Sequence, residues 1–141
     1  SFSFIDKLIM TFLDAINKAF IKCFDFKTRS SRSEFWYFYL FTQPLGFLGY
    51  QIDRFFNLEI IGIQLTQNVN EITILGPTYI FLYFLFFIPS LSLYIRRLHD
   101  TNRSGWWLLI VLIPLIGIIT LIFFWCLKGT QNRNNYGDTI N

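Results

Sequence analysis

Four apolar stretches follow one another along the chain, and polar residues are spaced differently in the first than in the other three. From residue 6 to 25 the polar positions Lys7, Thr11, Asp14, Lys18, Lys22 and Asp25 recur every three or four residues. That spacing puts them on one stripe of a helix with about 3.6 residues per turn. Phe12, Leu13, Ile16, Phe20, Ile21 and Phe24 cover the rest of the surface. A narrow charged stripe beside a broad apolar face predicts an amphipathic helix lying in a membrane interface. Docking of that face on another protein is the alternative. The next three stretches, 35–52, 77–95 and 106–127, contain no Asp, Glu, Lys, Arg or His. At about 1.5 Å per residue each approaches the roughly 30 Å of a hydrocarbon core. The pattern therefore predicts an all-α membrane protein: an interfacial helix within residues 1–27, then a three-span domain over 28–141.

Pro44, Pro89 and Pro114 fall inside the three spans, and Pro77 stands where the second begins. An interior proline removes a helical hydrogen bond, so each span is expected to be kinked, whereas a proline at a helix start disturbs nothing. Gly46, Gly49 and Gly117 permit close helix approach. The run Pro114-Leu115-Ile116-Gly117 also allows a second reading of the third span, a re-entrant hairpin that returns the tail to its starting side. Between the first two spans, apolar residues alternate at Ile61, Ile63 and Leu65 and again at Ile72 and Ile74, which permits a short hairpin.

Composition agrees with the pattern. Of 141 residues 53% are hydrophobic, 21% aromatic and only 15% charged, against about a quarter charged in a soluble domain; mean hydropathy is +0.43. This excludes a soluble enzyme, a nucleic-acid binder with a solvated basic face, and a disordered segment. Charge-free spans argue against proton relays and ion-coupled transport, which use ionisable groups at membrane depth. Two distant cysteines, Cys23 and Cys126, and the single His99 suggest no metal, haem, other cofactor or structural disulfide. The opening Ser1-Phe2 is the expectation for a processed initiator methionine, and the charged first stretch does not read as a signal peptide.

Basic residues set the expected orientation. Six Lys and Arg precede Glu34 and three lie between the second and third spans, against Arg54, Lys128 and Arg133 on the opposite side. Nine against three predicts a cytoplasmic N-terminus and a periplasmic C-terminus. Trp36, Trp106 and Trp107 then mark the inner interface and Trp125 the outer one.

Polar chemistry concentrates at two points. The first is Thr28-Arg29-Ser30-Ser31-Arg32-Ser33-Glu34-Phe35-Trp36, where Ser33-Glu34 offers helix-start chemistry. The second is Arg96-Arg97-Leu98-His99-Asp100-Thr101-Asn102-Arg103-Ser104-Gly105-Trp106-Trp107, where Asp100 is expected to cap the following turn and Asn102 to take a left-handed conformation. RRLHDTNRSGWW, RSSRSEFW, LIPLIG and the terminal KGTQNRNNYG together resemble the YhaH/YhaI-like bacterial inner-membrane family, domain of unknown function 805. The resemblance covers roughly residues 24 to 137. It implies a small multi-span inner-membrane protein and brings no biochemical activity with it. Glycine is common in that pattern where this chain has Thr28, Asn102 and Asn132, and asparagine is the next best residue for positive φ. By similarity the recurrent positions are Arg29, Arg32, Glu34, Trp36, Arg96, Arg97, His99, Asp100, Arg103, Trp106, Trp107, Asn134, Tyr136 and Gly137.

His99-Asp100 is the one pair suggesting acid–base chemistry, with Ser104 the nearest nucleophile. The favoured reading is a structural hydrogen-bond knot joining the two motifs. Arg29, Arg32, Arg96, Arg97 and Arg103 would form a basic collar able to meet anionic lipid headgroups, or supply ordinary orientation charge. For the whole chain the expectation is a non-enzymatic packing or accessory subunit that self-associates or joins a larger membrane complex. The alternative is an oligomeric transporter or channel for a neutral solute, lined by Thr42, Gln43, Ser90 and Ser92, and an interfacial enzyme comes third.

Overall fold

A computed structural model describes residues 2–58, 61–64 and 72–138, with side chains from residue 11 onward outside the two strands. Helix α1 runs Phe2–Ile21, α2 Arg32–Phe55 and α3 Pro77–Asp100; a 3-10 helix follows at Gly105–Leu112 and α4 at Ile116–Cys126. Strands β1 (Ile61–Gln64) and β2 (Ile72–Leu75) form an antiparallel hairpin in which Ile61 faces Leu75 and Ile63 faces Thr73. The expected hairpin is thus present, and it adds a small sheet to a class expected to be all helical. Two compact units result, residues up to 39 with those from 88 onward, and residues 40–87.

The starts of α2 and α3 each rest on identifiable chemistry. Ser31 caps α2: its hydroxyl accepts the backbone N–H of Glu34 at 3.2 Å, so the cap is Ser31, two residues before the expected Ser33. Pro77 opens α3, and in the second unit the carboxylate of Asp53 accepts the N–H groups of Thr78 and Tyr79 at 3.1 and 2.8 Å. Gly76 makes this possible, because a Cβ there would fall 2.2 Å from the Asp53 carboxyl carbon. Asn102 ends α3 with φ 57°, as expected; Asn132 has no positive φ, which falls instead at Asn57 and Leu115.

Among the described helices α3 is the one long and apolar enough to cross a membrane. The continuous third span expected over 106–127 is not formed. Pro114 has no N–H to donate and disfavours helix at the residue before it; Ile113 is extended and Leu115 takes φ 63°, reversing the chain. The 3-10 helix and α4 then lie against each other. Gly117 touches the Ile110 carbonyl so closely that any Cβ would collide with it, and Trp107 meets Phe124 edge-on at 5.4 Å. The segment is a helical hairpin in place of a continuous helix, and it brings the tail back to the C-terminal end of α3.

In the first unit, α1 packs through Ala15 and Ala19, with Phe12 edge-on to Tyr37 and Phe20 edge-on to Phe38. Ile21 and Phe24 stay exposed. Burial is inverted relative to a water-soluble fold. Arg29, Arg96, Arg97, Asp100 and Glu34 are buried, while Trp106, Leu112, Leu115, Ile119 and Phe123 stand open. Water selects the opposite arrangement; hydrocarbon permits this one, because exposed apolar area meets apolar surroundings and the charges must converge on one another.

Candidate functional site

Arg29, in the loop between α1 and α2, is 4% exposed and uses all three guanidinium nitrogens. Nε and Nη2 donate to Asp100 Oδ1 at 3.0 and 2.8 Å. Nη2 also reaches the Thr130 carbonyl, and Nη1 the carbonyls of Asn132, Gly137 and Asp138. One side chain therefore gathers the whole tail. Arg97, wholly buried, does the same for α4: Nε donates to the Trp125 carbonyl at 3.0 Å, Nη2 to the Leu127 carbonyl and Nη1 to Asp100 Oδ2. The carbonyls at the end of a helix lack internal donors, and a guanidinium serves them and the negative end of the helix dipole together.

Asp100 stands between the two guanidiniums, one carboxylate oxygen to each. Its own carbonyl accepts the N–H of Thr130 at 2.9 Å. Gly129 is required beside it, since a Cβ would sit 2.0 Å from Asp100 Oδ2. The expected role of Asp100 as a cap for its own turn is not what forms. Nor does it orient His99. Neighbours on a helix point about 100° apart, and His99 Nδ1 faces the Thr28 carbonyl at 3.3 Å. A carbonyl only accepts, so that nitrogen carries the proton. The His99 ring stacks on Tyr136 at 3.8 Å with 4° between planes. Asn134 completes this side, donating to the His99 carbonyl and to Thr130 Oγ1, both at 2.9 Å, and pairing with Gly137 through the backbone.

Arg96 forms a second ion pair, Nη1 to Glu34 Oε1 at 2.9 Å, and its carbonyl accepts the N–H of Ser30; its Nε and Nη2 have no partner among the described residues. Ser92 Oγ lies 2.8 Å from the carbonyls of both Lys22 and Asp25, and so ties the end of α1 to α3. In the adjoining turn the Asp25 carboxyl is raised by burial but held below its ordinary value on balance by hydrogen bonds from the Thr28 hydroxyl and the N–H groups of Lys27 and Thr28.

The structure thus brings together Arg29, Glu34, Arg96, Arg97, His99, Asp100, Asn134, Tyr136 and Gly137. It leaves Arg32 and Trp106 exposed and Trp36 half-buried, while Arg103 lies over the Phe124 ring at 4.1 Å. The five-arginine collar is corrected accordingly: three of its members, Arg29, Arg96 and Arg97, are buried and paired with Asp100 or Glu34. Ser104 Oγ accepts from the Trp106 N–H as a cap of the 3-10 helix. Among the described residues no three His, Cys, Asp or Glu side chains gather as a metal-holding group. Gly129 and Thr130 join the cluster without being among the expected site residues, the GT pair of the terminal motif being their one signal, and Ser92, expected on a solute path, instead bonds the Lys22 and Asp25 carbonyls.

Residues 23–138 match the family model described as a protein of unknown function, DUF805. The chain is 38% identical over 114 residues to the inner membrane protein YhaI of Escherichia coli K12, covering 80% of this chain and 83% of that protein. It is 36% identical over 116 residues to the inner membrane protein YhaH of the same strain, covering 79% and 84%. No solved structure matches it.

Proposed function

The chain belongs to the DUF805 family, and from that premise we propose that it is a bacterial inner-membrane protein without enzymatic activity, a packing subunit that assembles with other membrane chains. The observation that carries this reading is the use made of the polar motif around Asp100. Both oxygens of Asp100 and every guanidinium nitrogen of Arg29 and Arg97 are engaged within the chain, and the one histidine is stacked and facing a backbone carbonyl. Such a cluster holds three chain segments together and presents no reacting group to a substrate.

In this reading α2 and α3 cross the bilayer and the 3-10/α4 hairpin enters one leaflet from the cytoplasmic side. Each arm of the hairpin is about 16 Å long, roughly half a hydrocarbon core. With the tail returned to the side of Arg29, eleven of the twelve Lys and Arg stand on the cytoplasmic side and Arg54 alone on the other, a stronger bias than a third crossing would leave. The exposed Arg32 and Trp106 are the groups available to headgroups there.

Asp100→Asn tests the central claim. It keeps the shape and removes the charge between two buried guanidiniums, for an expected loss of about 3–5 kcal/mol, read as a lower thermal midpoint in mild detergent. Arg103→Gln, at the edge of the cluster, is expected to shift it far less. An Asp100→Asn protein that melts like the wild type would overturn the reading.

A further inference from the structure

On the reading that α2 crosses the bilayer, Gln43 occupies an unusual place. It stands at the middle of α2 (Arg32–Phe55) and is exposed, and among the described residues its amide has no hydrogen-bond partner. At membrane depth an amide facing lipid finds neither donor nor acceptor, and the group is expensive to leave there. The next residue, Pro44, brings no N–H to the carbonyl of Leu40, so a second acceptor is freed one turn away on the same helix. Gly46 lies on this side too, and a Cβ built there would have nothing within 4 Å. Gly49 behaves differently, since its Cβ position is filled by Leu82 of α3. One of the two glycines is therefore used by the fold and the other faces open space, flanked by the exposed Leu40 and Phe47.

We propose that this face of α2 is where a second copy of the chain docks, the two α2 helices crossing at Gly46 with Gln43 paired across a twofold axis normal to the membrane. A primary amide both donates and accepts, so two copies satisfy each other without a third component. Copies inserted in the same orientation are related by an axis along the membrane normal, which brings equivalent residues of parallel helices together. The glycine lets the backbones approach closely enough for the amides, and for the Leu40 carbonyls, to be reached.

The test is sedimentation equilibrium of the full chain in density-matched detergent over a range of protein-to-detergent ratios. A reversible dimer is expected. Gln43→Leu should weaken it roughly three- to twentyfold, the range of a single interhelical hydrogen bond. Gly46→Leu should weaken it at least as much without altering the monomer's thermal midpoint, and Gln43→Asn should retain most of the affinity. A monomer at all ratios, or a dimer unmoved by both Gln43→Leu and Gly46→Leu, would overturn the proposal; so would an unlike chain taking the place of the second copy on gentle extraction. A separate readout isolates the underlying reading. Gln43→Cys, with Cys23 and Cys126 changed to Ser, should resist a water-soluble maleimide in sealed vesicles from both sides. Labelling there would show that α2 does not cross; protection combined with a monomer would remove the dimer alone.

Discussion

Asp100 is the residue on which three segments converge, and the space around it is as specific as its charge. Arg29, Arg97 and the Thr130 N–H all meet it, and Gly129 passes within what would be a collision for any side chain. Gly129→Ala is accordingly expected to destabilise the protein by about 1–3 kcal/mol, measured as a fall in thermal midpoint in detergent. An unchanged midpoint would mean that the tail adjusts without disturbing the carboxylate. Much of this cluster was legible beforehand. The two charged motifs with Asn134, Tyr136 and Gly137 supply most of its members, and a hydrogen-bond knot is what their polarity predicts. The partners were not legible. His99 and Asp100 are adjacent in the chain and therefore diverge on the helix, while Arg29 and Asp100 are 71 positions apart and nothing local pairs them.

At the scale of elements, the consequential departure is the third apolar stretch. Its composition is that of a span throughout, and 3-10 and α-helical lengths of the same residues look alike in hydropathy. What breaks it is one proline followed by a leucine at φ 63°, a conformation that carries a penalty of order 1–2 kcal/mol for a residue with a Cβ. Leu115→Gly should relieve that strain. Leu115 is 75% exposed, so little packing is lost, and the expected outcome is a protein at least as stable as the wild type, by about 1 kcal/mol. If the segment were instead one crossing helix, glycine at its centre would destabilise by a similar amount, and the sign of the change in thermal midpoint decides between them. Helix starts show a milder version of the same difficulty. Ser31 and Ser33 are equally good caps by type, and the choice falls to the one whose hydroxyl meets the Glu34 N–H.

For the whole molecule, the prediction concerns sides. The native cysteines report on it: Cys23 is half-buried near the end of α1, and Cys126 is exposed at the end of α4. In intact cells an impermeant thiol reagent is expected to label neither, and in inverted membrane vesicles to reach Cys126. Labelling of Cys126 from outside would restore a third crossing and with it a periplasmic tail. The sequence alone carries the class of environment, the presence of α2 and α3, the hairpin between them and the two places where charge gathers, while α3 runs past its expected end at Ile95 through Asp100. Each of these follows from local quantities: hydropathy, period, turn residues and charge position. Tertiary structure alone decided that Arg29, Arg96 and Arg97 turn inward and that the tail returns to the Arg29 side. Pairing across the chain and a single backbone reversal at Pro114-Leu115 govern both, and neither leaves a periodic mark on the residues that take part.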